Sequence, residues 1–193
     1  MSKRNLYIIA GCNGAGKTTA SFSILPEILG CKNFVNADEI ARGLSPFKPQ
    51  AVAVQAGRLM LHRIEELLLA GEDFAIETTL ATRSYIRLVN RARKAGYKVF
   101  VLFFWIESVE QARQRVAQRV REGGHDIDNK IIERRYKRGI YNLLNLYMPA
   151  CDYVLVVNNT KAPACVMAEK SARTEEIRVQ DLQMWNNLIK SIE

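Results

Sequence analysis

Several familiar signatures are missing from this chain, and each absence removes a class of protein. The four cysteines, Cys12, Cys31, Cys151 and Cys165, show no C-x-x-C spacing, and the two histidines form no cluster with them. That argues against both a zinc site and a disulfide framework, and fits a reducing compartment. No apolar run approaches the roughly 20 residues of a helical membrane span. Met1-Ser2-Lys3-Arg4-Asn5 leads directly into an apolar strand pattern, so no signal peptide is expected. A cytoplasmic protein without a membrane partner is expected. Aromatic residues make up only 8% and do not interleave with the basic ones as they do in single-strand binders. The net charge of +8 therefore points to polyphosphate ligands more than to nucleic acid, particularly as many basic residues fall within 83–98 and 113–138.

The chain does contain a complete G-x-x-x-x-G-K-T sequence: Gly11-Cys12-Asn13-Gly14-Ala15-Gly16-Lys17-Thr18, with Thr19 following. It comes after the apolar run Leu6-Tyr7-Ile8-Ile9-Ala10 and before a helical pattern. A strand, a glycine-rich turn of exposed N–H groups and a helix amino terminus converge on one point there, which makes an anion cradle. Lys17 is expected to reach the β- and γ-phosphates of ATP or GTP, and the Thr18 hydroxyl to ligate Mg²⁺. Cys12, inside this loop, reads as a tolerated small residue ahead of an oxidation-sensitive thiol.

Strand-like and helix-like patterns alternate along the rest of the chain, the signature of an α/β fold. Strands are expected at 6–10, 33–36, 74–77, 98–105 and 153–157. Helices are expected at 17–30, 50–70, 84–95, 108–122 and 128–147, with Asp38 and Glu39 in a loop. Val99-Phe100-Val101-Leu102-Phe103-Phe104 reads as a central parallel strand buried on both faces. Two short extended segments near 165–169 and 176–179 and a helix over 182–192 close the chain. The expected architecture is a P-loop NTPase three-layer sandwich over residues 1–193. Its mostly parallel five-stranded sheet is of the nucleoside-monophosphate-kinase type, with a helical lid near 113–138. A short β-hairpin plus helix forms a carboxy-terminal appendage from about 161. In such a fold, lid arginines neutralise charge on the phosphoryl group in transfer.

Further stretches narrow the reading. They are Val35-Asn36-Ala37-Asp38-Glu39-Ile40-Ala41 followed by Gly43-Leu44-Ser45-Pro46, then Ala75-Ile76-Glu77-Thr78-Thr79-Leu80. Beyond these lie Arg119-Val120-Arg121-Glu122-Gly123-Gly124-His125 and Arg134-Arg135-Tyr136. Together with the phosphate loop, their order resembles the zeta-toxin family of P-loop kinases, specifically short bacterial members with a G-G-H lid. That resemblance implies transfer of the ATP γ-phosphate to a hydroxyl of UDP-N-acetylglucosamine or a related nucleotide-sugar. It also implies a protein antitoxin partner. Asp38 matches the family's catalytic aspartate and Glu77 its strand-end acid; Arg119 matches the first lid arginine, with Arg134 and Arg135 competing for the second. Chemistry supports the first assignment, since a sugar hydroxyl needs a carboxylate to orient it and accept its proton. A helix-capping Asp38 is the plain alternative. Thr78, Thr79 and Arg83 are candidate acceptor contacts. His125 stands where the family pattern has an arginine, which puts the acceptor in doubt. Kinases for other small metabolites or antibiotics, a polynucleotide 5′-kinase and a nucleotide-binding regulatory protein are the competing readings.

Overall fold

A computed structural model describes residues 4–124, 126–172 and 176–192. Its centre is β1 (Arg4–Ala10), where Leu6 through Ala10 are all buried, so both faces of this strand are covered. The loop beyond leads into α1 (Lys17–Ser23), which continues through a π-helical turn at Ile24–Ile28 containing Pro26. Next come β2 (Phe34–Val35), α2 (Ala37–Leu44), a 3₁₀ turn at Pro49–Val52, α3 (Ala53–Ala70) and β3 (Phe74–Thr78). Gly71, at φ 71°, ends α3 in the left-handed conformation that glycine adopts at little cost.

The second half holds α4 (Tyr85–Lys94), β4 (Tyr97–Trp105), α5 (Val109–Arg121) and α6 (Asn129–Asn142). A π-helical turn at Leu143–Tyr147 and the short α7 (Met148–Ala150) lead to β5 (Tyr153–Asn158). The chain closes with β6 (Cys165–Ser171), β7 (Ile177–Val179) and α8 (Leu182–Lys190). Ser108 caps α5 by accepting a hydrogen bond from the Gln111 N–H at 3.1 Å, as a serine preceding an amphipathic run should.

The sheet order is β2-β3-β1-β4-β5-β6-β7. The first five strands are parallel, as the sequence indicates. The terminal hairpin, expected as an appendage to a five-stranded sheet, is part of the sheet: β6 pairs antiparallel with β5 and β7 with β6, giving seven strands. A second correction concerns Asp38 and Glu39, which lie in the first turn of α2 and not in a loop. The cap of that helix is Asn36, whose side-chain oxygen accepts from the N–H groups of Asp38 at 2.8 Å and Glu39 at 3.4 Å. Asp38 is thereby released from the capping role.

The sheet topology also sets the place of the site. Successive crossovers from β1 run to one side of it and then, after β3, to the other, leaving a crevice at the carboxyl ends of β1 and its neighbours. Open α/β sheets hold ligands at such a switch point. Both α5 and α6 bury one face in the core, through Ala112 and Val116, and through Ile132, Tyr136 and Ile140. Between them, Glu122 and Asp126, Ile127 and Asp128 line the cavities of this crevice.

Candidate active site

The phosphate loop follows β1. Gly11 adopts φ 139°, and a Cβ there would collide with the Phe104 carbonyl of β4. Only glycine lets the loop leave the sheet at that angle. Downstream, the Asn159 amide donates to the Ala15 carbonyl at 2.8 Å while its backbone N–H donates to Trp105, so the turn after β5 braces the loop.

Lys17 is 7% exposed, and a buried ammonium requires partners. It donates to the Cys12 carbonyl at 3.0 Å and lies 3.6 Å from the Glu77 carboxylate. Glu77 also accepts from the Thr18 hydroxyl at 2.8 Å and from the Asn36 amide at 2.8 Å. Residues from the ends of β2 and β3 and the start of α1 thus meet on one carboxylate. Thr18 and Glu77 supply hard oxygen donors suited to Mg²⁺. Among the described residues no group of three or more acidic, histidine or cysteine side chains could hold a metal alone. A magnesium ion at this position would therefore draw its remaining ligands from nucleotide oxygens and water, as Mg²⁺ commonly does.

A 260 Å³ cavity opens over this loop, lined by Asn13, Lys17, Thr18, Asp38, Arg115 and Arg119 among others. The adjoining 270 Å³ cavity lies between α2, the Pro49–Val52 turn and the start of α6; Asp38, Asp126, Asp128 and Arg135 line it. Asp38 belongs to both walls. Arg135 joins the cavities in a second way, donating to Asn13 Oδ1 at 3.1 Å. Burial holds its guanidinium below the ordinary arginine range, an effect that nearby Asp38 opposes and Arg134 reinforces.

Most of the sequence-assigned residues converge here. Asn13, Gly14, Gly16, Lys17, Thr18, Thr19, Asp38, Glu77 and Arg119 line one crevice, whereas Gly11, Cys12 and Ala15 form the buried base of the loop. Of the competing lid arginines, Arg135 reaches the loop, whereas Arg134 is exposed and lines neither cavity. Thr78 and Thr79 line neither cavity and have other partners. Their hydroxyls accept from the N–H groups of Leu80 at 3.1 Å and Ala81 at 3.5 Å. Leu80 is fully buried at φ 54°, a strained conformation for a leucine, and the buried Asn142 amide fastens its carbonyl at 2.7 Å. Arg83 is exposed and lines neither cavity. His125 lies outside the described residues. Cys12 is buried, and burial pushes its thiol up to about 11, so it stays protonated and unreactive near neutrality.

Sequence reasoning missed Arg115, Asn36, Asn159, Asp126 and Asp128. Arg115 donates to the carbonyls of Gly14 at 3.4 Å and Thr160 at 2.8 Å. Its four-residue spacing from Arg119 puts both arginines on one face of α5, a signal that the sequence did contain.

A protein-family profile described as an AAA domain matches residues 6–138, more than half of the chain and all of the crevice elements up to α6. The chain belongs to this family, AAA_33. An uncharacterized protein of Haemophilus influenzae is 29% identical to this family member over 126 residues, covering 65% of this chain and 88% of that one. Among solved structures, the AvrRxo1-ORF1:AvrRxo1-ORF2 complex with sulphate ions superposes at TM-score 0.76 and 16% identity. It covers 96% of this chain, which spans only 63% of that longer one. The PezAT chromosomal toxin-antitoxin system of Streptococcus pneumoniae superposes at 0.69 and 14% identity, covering 100% of this chain and 87% of that one. A gluconokinase from Sinorhizobium meliloti reaches 0.52 at 12% identity, with coverages of 98% and 91%. The AAA_33 chain thus has a P-loop kinase-like fold, with a seven-stranded, mostly parallel sheet. Among the described residues no helix is long and apolar enough to cross a membrane.

Proposed function

We propose that this protein is an ATP-dependent phosphotransferase that moves the γ-phosphate to a hydroxyl of a small molecule. The observation that carries the reading is the position of Asp38 in the wall shared by the phosphate-loop cavity and its neighbour. A nucleotide in one and an acceptor in the other would meet at that carboxylate. Asp38 orients the acceptor hydroxyl and takes its proton as the oxygen attacks the γ-phosphorus. The new O–P bond forms as the bond from the γ-phosphorus to the β,γ-bridging oxygen breaks, and ADP leaves with that electron pair.

The loop N–H groups and Lys17 hold the β- and γ-phosphates, and Arg115 and Arg119 line the same cavity where transferring charge is spread. Bound Mg²⁺ would neutralise phosphate charge, held on the protein side by Thr18 and the Glu77 carboxylate. Arg135 ties the acceptor wall to the phosphate loop and is the preferred second arginine; the turn between α5 and α6 serves as the lid. ATP is the preferred nucleotide because a structural neighbour is an AvrRxo1-ORF1:-ORF2 complex with ATP. That complex and PezAT are both two-component assemblies, which supports a protein antitoxin as a partner to seek by co-purification with neighbouring gene products. A cytoplasmic location accords with the nucleotide supply.

The test is incubation with γ-labelled ATP, Mg²⁺ and an acceptor panel including UDP-N-acetylglucosamine, the acceptor implied by the zeta-toxin resemblance. A labelled small-molecule product that disappears with Asp38→Ala is expected. ATP consumption that leaves only free phosphate with every acceptor would reject the transferase reading.

A further inference from the structure

The cavity beside the phosphate loop has a charge that runs against the rest of the protein. The chain carries a net charge of +8, yet this cavity is lined by three carboxylates, Asp38, Asp126 and Asp128, against a single guanidinium, Arg135. Arg135 is already committed, through its bond to Asn13 and its proximity to Asp38. None of the three carboxylates forms an ion pair within 4 Å among the described residues. Asp126 and Asp128 each use one oxygen to accept a local backbone N–H, of Ile127 and Lys130 respectively. Opposite them the surface is apolar, made by Ala37, Ala41, Pro49, Ala53 and Ile131.

Such a lining repels a molecule that brings its own phosphates and attracts one that brings an ammonium group. Coulomb interactions at partly solvated distances are strong enough to sort ligands this way, although all three aspartates are exposed and therefore partly screened. We propose that the acceptor is a phosphate-free polyol bearing an amine, of the amino-sugar or aminocyclitol class. Its ring packs on the apolar surface, its ammonium lies near Asp126 and Asp128, and one hydroxyl points at Asp38. This inference rests on the phosphotransferase reading, and it turns the choice of acceptor away from a diphosphate-linked sugar. The transfer step is the one written above, with the acceptor hydroxyl proton passing to Asp38.

Initial rates of label transfer from γ-labelled ATP test it, using three panels: amino sugars and aminocyclitols, neutral sugars and polyols, and sugar phosphates including UDP-N-acetylglucosamine. The expected order in kcat/KM is amine-bearing above neutral above phosphorylated. The double variant Asp126→Asn/Asp128→Asn should reduce the preference for amine over neutral acceptors about tenfold. Asparagine at position 128 still caps α6, so folding is spared. Rising salt should erode the same preference in the unaltered protein. Asp38-dependent transfer that favours a phosphorylated acceptor overturns this inference alone, as does an amine preference untouched by the double variant. Transfer to no panel overturns the phosphotransferase reading with it.

Discussion

Arg135 Nη1 donates to Asn13 Oδ1 at 3.1 Å, joining α6 to the phosphate loop across 122 residues of sequence. Its neighbour Arg134 points away into solvent. Substituting the two therefore separates a site role from a surface charge. Arg135→Gln should lower kcat/KM for transfer by about 100-fold, in line with loss of one charged donor near the transferring group. Arg134→Gln should stay within about twofold. Steady-state kinetics of both variants decide it, and equal losses would remove Arg135 from its special place.

Glu77 organises three side chains, Lys17, Thr18 and Asn36. Glu77→Gln keeps the shape but removes the charge, and should raise the Mg²⁺ concentration needed for half-maximal turnover at least tenfold. Asn36→Ala strips the cap of α2 and one anchor of Glu77 at once. The lost cap alone is worth about 1 kcal/mol, so thermal unfolding should shift downward in that variant. A Glu77→Gln enzyme with an unaltered Mg²⁺ titration would contradict the assignment.

Thr78 braces the strained turn at Leu80, and an acceptor role would give a different signature. Thr78→Val deletes the hydroxyl that holds the Leu80 N–H, and should destabilise the fold by about 1–3 kcal/mol. The KM for acceptor should stay within about twofold. A raised KM with unchanged denaturant stability would reverse these roles.

Burial raises three thiols from an ordinary value of 9.0: Cys12 and Cys31 to about 11 and Cys151 to about 12. The folded state favours the neutral thiol, so this contribution is fully present below pH 9. It is lost progressively as the unfolded chain ionises between pH 9 and the folded-state values. Each group then costs up to about 1.4 kcal/mol per pH step within its window. Denaturant melts from pH 8 to 11 should show that decline, and Cys151→Ala should make it shallower. At pH 7.5 a thiol reagent should label only the exposed Cys165 in the folded protein; fast labelling of Cys12 would contradict its burial.

The phosphate loop was legible because every part of it is local: the apolar strand, the glycines and the Lys17-Thr18 pair are contiguous. The central strand Tyr97–Trp105 was legible for the same reason, since a strand buried on both faces needs an unbroken apolar run. Helix α2 was missed although Asn36, Asp38 and Glu39 make a regular helix start, because a two-residue strand and a short helix leave little periodicity to detect. The union of β6 and β7 with the main sheet depends on pairing with β5, and strand pairing is not written in either segment alone. The site divides likewise. Asp38 follows β2 and Glu77 is the penultimate residue of β3, so both could be picked out, whereas the positions of Arg115, Asn159 and Arg135 and the exposure of Arg134 depend on helix rotation and packing. Thr78 and Thr79 looked like ligand groups because hydroxyls at a strand end serve equally to hold a turn.

The most direct test of the account compares Asp38→Asn with the unaltered protein in two measurements on the same preparation. Calorimetric titration with ATP and Mg²⁺ should give affinities within about threefold of each other, since asparagine keeps the size and removes only the proton acceptor. Label transfer to the best acceptor should fall by about 10³-fold, as expected when both proton acceptance and orientation are lost. Unchanged transfer by Asp38→Asn, or no detectable ATP binding by the unaltered protein, would contradict the account.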